Sequence, residues 1–275
     1  MTNRVGAAGL LLLAATGCAI SQQQEVQMGD DYAAQIAAEL PMVRDAAVVN
    51  YITSLGNSLA KVTDSRGLTW HFAVVNSREV NAFAVPGGWI YVNRGLIERA
   101  ENMSQLAGVL SHEIGHVTRR HSVQQMQQAQ GANGGVLLLC TLTKICDSGT
   151  GQTAVNVAGT ALFAKFSRSD EAEADQEAVM TTIKAGINPN GIPGMFELLL
   201  AERTRNPNAV DAFFATHPLA EDRIADSEAM IATYPASALR GLTTETAAFQ
   251  TFRRRLLALP APPPVKASAV MPGHQ

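Results

Sequence analysis

The sequence predicts an α+β chain, mainly helical, with one small β-sheet. Three observations carry that expectation. Apolar residues at helical spacing recur, as at Leu106, Val109, Leu110 and Val117. Period-two alternation is confined to a short stretch in which Leu68, Trp70, Phe72 and Val74 alternate with Thr69, His71 and Ala73. Alanine is abundant while aromatic residues make up only 5%, a composition suited to closely packed helices. The chain has 275 residues, 47% of them hydrophobic, enough for one substantial core.

Taken in order, Met1 to Arg4 form a short basic segment, and Val5 to Ala15 an apolar one too short to span a bilayer as a helix. Small residues then lead to Cys18, a pattern that resembles a bacterial lipoprotein signal. Residues 1–17 are therefore expected to be removed and Cys18 to be lipidated as the mature N-terminus. Ala15 stands where leucine is usual, which leaves an ordinary signal peptide open. No aspartate follows Cys18, which points to the outer membrane.

Gln24 to Leu40 and Asp45 to Lys61 read as amphipathic helices divided by Pro41. The alternating strand follows, with His71 expected to be structural or exposed. Asn81 to Val85 and Trp89 to Val92 flank Pro86, Gly87 and Gly88, a turn between two further strands. An edge strand at Asn81 and Ala82 is suited to pair with an extended peptide through backbone hydrogen bonds. A helix starts near Ser104 and carries a second, small-residue face of Gly108, Ser111 and Gly115, which would let another element approach closely.

Residues 131–166 hold two apolar segments, Val136 to Cys140 and Val155 to Phe166, neither long enough to cross a membrane. Cys140 and Cys146 form an even pair once Cys18 is set aside; a disulfide and two buried thiols both remain open. Ser167 followed by Asp170 resembles a helix-capping box, and Gly186 before Asn188 and Pro189 a stop, bounding a helix from about Ser169 to Ala185. From Leu259 the chain turns proline-rich, so 18–258 is expected to fold and 259–275 to form a disordered tail. The net charge of −3 is mild and Arg253 to Arg255 is too short a basic run to imply a nucleic-acid partner.

The chemistry concentrates in residues 112–116, which read His-Glu-Ile-Gly-His. On a helix, His112 and His116 project from one face and can grip one metal ion, with Glu113 beside them to take a proton from bound water. Catalytic zinc usually takes a third protein ligand. A histidine six residues after His116, with a glycine between, is excluded because Arg119 and Ser122 occupy those positions. His121 points about 140° around a continuous helix from His116 and reads as a cap or surface residue. Arg119, Arg120 and His121 together read as the positive end of that helix. Glu171 and Asp175 share one face of the later helix, with Ala172 and Ala174 nearby to allow close packing. One carboxylate would bind the ion while the other accepts the second ring N–H of a histidine.

His112-Glu113-x-x-His116, followed by Phe166-Ser167-Arg168 and Glu171-x-Glu173-Ala174-Asp175, resembles the M48 family of zinc metallopeptidases. Asn81 to Ile97 is similar to the family's strand-turn-strand, and His217-Pro218 with Arg223 to a later family motif. The resemblance covers roughly Gln24 to Leu257 and implies a zincin-like (gluzincin) fold. It implies one Zn2+ held by His112, His116 and Glu171, Glu113 as base, and Asp175 supporting a ligand. His217 is the first candidate to stabilise the oxyanion and Arg223 the second, although in some relatives the equivalent histidine is thought to occupy the open metal position. Residues 131–166 resemble the family's helical insertion between the zinc-binding helices; as neither segment is long enough to span a membrane, an exposed apolar hairpin covering the active site is the alternative.

The function so implied is zinc-dependent endopeptidase action on misfolded or misassembled cell-envelope proteins, in outer-membrane quality control. The alternative is a non-proteolytic, chaperone-like zinc lipoprotein, against which an intact Glu113 argues. Expected partners are unfolded envelope substrates and a membrane reached through the lipid anchor, with no helical-repeat (TPR-type) docking module.

Overall fold

The computed structural model describes residues 19–128, 165–218 and 222–263. Cys18, Cys140, Cys146, the leader, the apolar segments within 131–164 and the tail beyond 263 lie outside them.

Helices α1 (Gln22–Glu39) and α2 (Ala46–Thr63) start where their sequences supply caps. Ser21 and Gln24 form a reciprocal capping box, and the Asp45 carboxylate accepts from the amides of Ala47 and Val48. Strands β1 (His71–Val75), β2 (Ala82–Val85) and β3 (Trp89–Asn93) form one sheet in the order β1-β3-β2. β1 runs parallel to β3, and β2 antiparallel to it. The β2–β3 turn depends on glycine: Gly87 and Gly88 have φ of 83° and 107°.

Period-two alternation led to an expectation of half-buried strands, but both faces of the sheet are covered. Phe72, Val74, Ala82, Ile90 and Val92 join the main core with α2 and the helices beyond. Val75, Phe83, Val85 and Tyr91 meet Ile36 of α1 and Met126 in a second cluster. His71 is half-buried there and stacks on Trp89 at 4.0 Å between ring centroids.

After β3 come α3 (Arg94–Arg99) and α4 (Met103–Thr118), the latter capped by Asn102. Residues 121–128 are also helical. Then follow α5 (Arg168–Lys184), α6 (Gly191–Arg205), α7 (Pro207–Thr216), α8 (Asp222–Ala232), α9 (Ala236–Leu239) and α10 (Ala247–Leu257). The expected Ser167–Asp170 capping box is present at the start of α5, and Gly186 terminates it with φ 75°. No described helix is long and apolar enough to cross a membrane.

Helix α4 is the axis of the molecule. Every residue from Met103 to Val117 is buried, so it has no solvent face. Its neighbours are α5, α6, α2 and β2. Two glycines admit them. A Cβ on Gly108 would stand 3.3 Å from the backbone of Ile192 in α6, and one on Gly115 would stand 3.2 Å from that of Ala174 in α5. Ala174 is fully buried at this contact; Ala172, read as a packing residue, is exposed.

Candidate metal centre

Two helices bring the chemistry together. His112 and His116, one turn apart on α4, turn their Nε2 atoms toward each other at 3.0 Å. Glu171, in the first turn of α5, places Oε2 3.6 Å from His112 Nε2 and Oε1 3.5 Å from His116 Nε2. His217, just past α7, places Nδ1 3.0 Å from Glu171 Oε1. One donor atom from each of these four buried residues lies within 4.8 Å of all the others.

Their other contacts orient them. His112 Nδ1 meets Asp175 Oδ1 at 2.9 Å. Arg223 of α8 holds Asp175 through two hydrogen bonds of 2.7 Å and approaches Glu171 Oε2 at 2.5 Å. This geometry corrects the reading of Arg223 as a group for substrate: the guanidinium is buried behind the carboxylates and committed to them.

A second correction concerns His121. It is neither a cap nor a surface residue but is 1% exposed, with Nδ1 2.9 Å from His116 Nδ1. The helical phase does not apply, because Arg120 adopts φ 62° and interrupts the helix between His116 and His121. Its neighbours likewise do more than offset the helix dipole. Arg119 pairs with Glu177, and Arg120 with the fully buried Glu25 of α1, which Arg66 also holds. Phe166 stacks on the His116 ring with centroids 3.9 Å apart, a contact that the sequence reading did not foresee.

Glu113 is fully buried, and neither carboxylate oxygen has a hydrogen bond. Burial raises its pKa, with His217 and His112 opposing; His217 Nε2 is 3.6 Å away. Burial would also raise Glu171 and Asp175, but both are lowered. His217, His116 and His112 outweigh it at Glu171, and His112 and Arg223 do so at Asp175. Burial holds His116 well below the usual imidazole range, so the ring is a neutral donor. His217 moves upward despite burial because Glu171 and Glu113 face it.

The donor set suits a metal ion. Ring nitrogens 3.0 Å apart are near the ~3.3 Å between two tetrahedral ligands at about 2.0–2.1 Å. His112 Nδ1 lies against the Asp175 carboxylate and His116 Nδ1 is hydrogen-bonded to His121, so both Nε2 atoms and a carboxylate are left to converge. The expected peptide-binding residues lie beside this helix. β2 is an edge strand of the sheet and packs against α4, with Ala82 fully buried. The Asn81 carbonyl accepts from the Asn93 amide, while its buried side-chain oxygen has no hydrogen bond.

A H-E-x-x-H helix crossed by a second helix that presents a glutamate, beside a small sheet, defines a metallopeptidase of the zincin type. The chain belongs to peptidase family M48, whose model matches residues 46–231. It is 34% identical over 220 residues to the beta-barrel assembly-enhancing protease of Escherichia coli, covering 77% of this chain and 44% of that protein. It is 27% identical over 181 residues to metalloprotease YcaL of the same species, covering 64% of this chain and 70% of YcaL. A mitochondrial metalloendopeptidase, OMA1 of Schizosaccharomyces pombe, is 28% identical over 174 residues, covering 63% of this chain and 50% of that protein. The chain thus spans less than half the length of the beta-barrel assembly-enhancing protease.

Proposed function

We propose that this chain is a zinc-dependent endopeptidase that cleaves misfolded or misassembled envelope proteins. The observation that carries the reading is Glu113: a fully buried carboxylate, without a hydrogen bond, next to two converging imidazoles. A structural glutamate at such a place would cost several kcal/mol unless paired. A general base needs its oxygens free for a transferring proton.

In this reading His112, His116 and Glu171 hold one zinc ion, and Asp175 and Arg223 orient them. When bound, zinc supplies Lewis-acid polarisation of the scissile carbonyl and brings the pKa of water toward neutrality. Glu113 accepts the proton of the attacking water and returns it to the leaving amine; its upward-shifted pKa suits both halves of that exchange. His217 stands within the donor set, which supports a role as a further residue that would hold the ion in the resting protein. An extended substrate would add to the sheet beside Asn81 and Ala82, with backbone hydrogen bonds that select little by sequence. That mode suits unfolded chains. The beta-barrel assembly-enhancing protease is a relative whose name carries the same theme. Lipidation at Cys18 would keep the enzyme at the outer membrane, on its periplasmic side; Cys18→Ser should release it from the membrane fraction.

The test is cleavage of casein or a denatured outer-membrane barrel protein, with and without a zinc chelator, by the wild type and Glu113→Gln. Cleavage should be abolished by the chelator and restored by zinc. In the variant it should fall by about 10^2–10^4-fold with zinc still bound. Cleavage that survives in Glu113→Gln, or a zinc-loaded wild type that cleaves nothing, overturns the reading.

A further inference from the structure

His121 lies just beyond the metal-binding motif, has no role in the reading so far, and is buried against one of its histidines. We propose that His121 is a positioning residue of the metal centre. It accepts the Nδ1–H of His116, so that the Nε2 lone pair of that ring is held toward the ion, and its own Nε2 faces the nearby carboxylates of Glu173 and Asp170. This rests on the metal-centre reading above.

The proton accounting admits one arrangement. A contact of 2.9 Å between two Nδ1 atoms requires one donor and one acceptor. His116 Nε2 faces His112 Nε2 and Glu171, the place where a cation would sit, so it must present a lone pair. The single proton of the neutral His116 ring is then on Nδ1. His121 Nδ1 must accept it, which places the His121 proton on Nε2. That nitrogen faces the carboxylates of Glu173, 3.5 Å away, and Asp170, 4.0 Å away, an electrostatic contact without a hydrogen bond. The reverse assignment would point an N–H from His116 into the donor set and exclude a metal.

The two α4 histidines are therefore held differently. His112 meets a carboxylate directly at Asp175, whereas His116 reaches its carboxylates through a second imidazole. The backbone is arranged for this. At the end of α4 the left-handed Arg120 breaks the helix, and its side chain is fastened by Glu25 at 2.8 Å and by the carbonyl of Ile20 at 2.5 Å. A simple helical continuation would carry His121 to a different face.

Zinc affinity of the full chain is measured by competition with a chelating dye, alongside NMR of the 15N-labelled histidine rings. His121→Ala and His121→Phe should weaken zinc binding by about 10–100-fold. His121→Phe keeps a ring in the space, so it separates packing from hydrogen bonding if the alanine variant fails to fold. His121→Asn, whose Oδ1 can stand near the lost Nδ1, should recover most of that loss. In the wild type a through-hydrogen-bond 15N–15N coupling should connect the Nδ1 atoms of His116 and His121. Wild-type zinc affinity in His121→Phe, or no coupling with the His116 proton found on Nε2, overturns the proposal. A wild-type chain that takes up no zinc would instead sink the metal-centre reading, and the coupling would still report on the histidine pair.

Discussion

Adding one methyl group at Gly115 should separate the stability of the fold from the quality of the metal site. Gly115 lies between Glu113 and His116, where α4 crosses α5. A Cβ there would sit 3.1 Å from Glu177 Cβ and 3.2 Å from both Cα and O of Ala174. Those separations fall about 0.3–0.4 Å short of the ~3.5 Å at which carbon atoms rest comfortably. Two of the obstructing atoms are backbone, so no side chain can swing aside and α5 must retreat. Two effects oppose each other in stability. Alanine in place of glycine within a helix contributes about 0.5–1 kcal/mol, while overpacking costs about 1–3 kcal/mol. Gly115→Ala should therefore change the unfolding free energy of the metal-free protein by anything from nearly nothing to a loss of ~2.5 kcal/mol. The site is less forgiving. Glu171 and Asp175 flank Ala174 on the helix that moves, and ligand distances tolerate only about 0.2 Å. Zinc affinity should fall at least tenfold, equivalent to about 1.4 kcal/mol. Urea unfolding of the metal-free protein and dye competition for zinc measure the two quantities. A variant stabilised by the helix-propensity amount, with unchanged zinc affinity, would refute the idea that close approach of α4 and α5 sets the site.

Three further perturbations probe the groups around it. Arg223→Met retains bulk but leaves Asp175 and Glu171 buried without their guanidinium, which should cost about 3–5 kcal/mol in the metal-free protein and less with zinc bound; a loss below ~1 kcal/mol in urea unfolding would show that the clamp is dispensable. His217→Ala removes one of four donors and the 3.0 Å contact on Glu171, so zinc should remain bound but more weakly, and the peptidase rate should change; unchanged affinity and unchanged rate would exclude His217 from both blocking and assisting. Burial pushes the Tyr91 hydroxyl from 10.0 up to about 12, so the folded state favours the neutral phenol. Stability from this group is whole below pH ~10 and is lost progressively as pH rises toward ~12. Tyr91→Phe should lose less stability than the wild type between pH 9 and 11, and parallel losses would contradict that linkage.

What could be read in the sequence was local. The limits of α5 follow from a serine–aspartate capping box and a glycine stop, and both features lie within a few residues of the boundaries they set. The β2–β3 turn is written in Pro86, Gly87 and Gly88 for the same reason. Helical spacing also sufficed to put Glu171 and Asp175 on one face, and the fold sets that face against His112. The features that escaped depend on distant partners or unusual backbone. His121 was misplaced because nothing in an arginine announces a left-handed conformation. Glu25 looks like an ordinary helix-start residue until Arg66 and Arg120 arrive from elsewhere in the chain. Glu177 has nothing in its local sequence to mark it as buried, yet Arg119 and the Thr63 hydroxyl close over it. Arg223 could be aligned by motif but not assigned a direction, and its two hydrogen bonds to Asp175 decide which way it faces.

The suitability of the site for a cation is visible in charge as well as in donor geometry. Three carboxylates, Glu113, Glu171 and Asp175, are buried around the α4 histidines, and one guanidinium, Arg223, is buried with them. If all were ionised the set would carry two uncompensated negative charges, which is untenable in a low-dielectric interior. One divalent cation would balance it. Without the cation, protons are the substitute, and the shifts point that way: Glu113 and His217 both move toward holding a proton. Glu171 and Asp175 do not, because the surrounding histidines and, at Asp175, Arg223 keep them anionic and ready to act. The burden therefore falls on Glu113, the one carboxylate of the three with no hydrogen bond to either oxygen. The same isolation that suits Glu113 to exchange protons makes it the group whose charge depends most on an ion beside it.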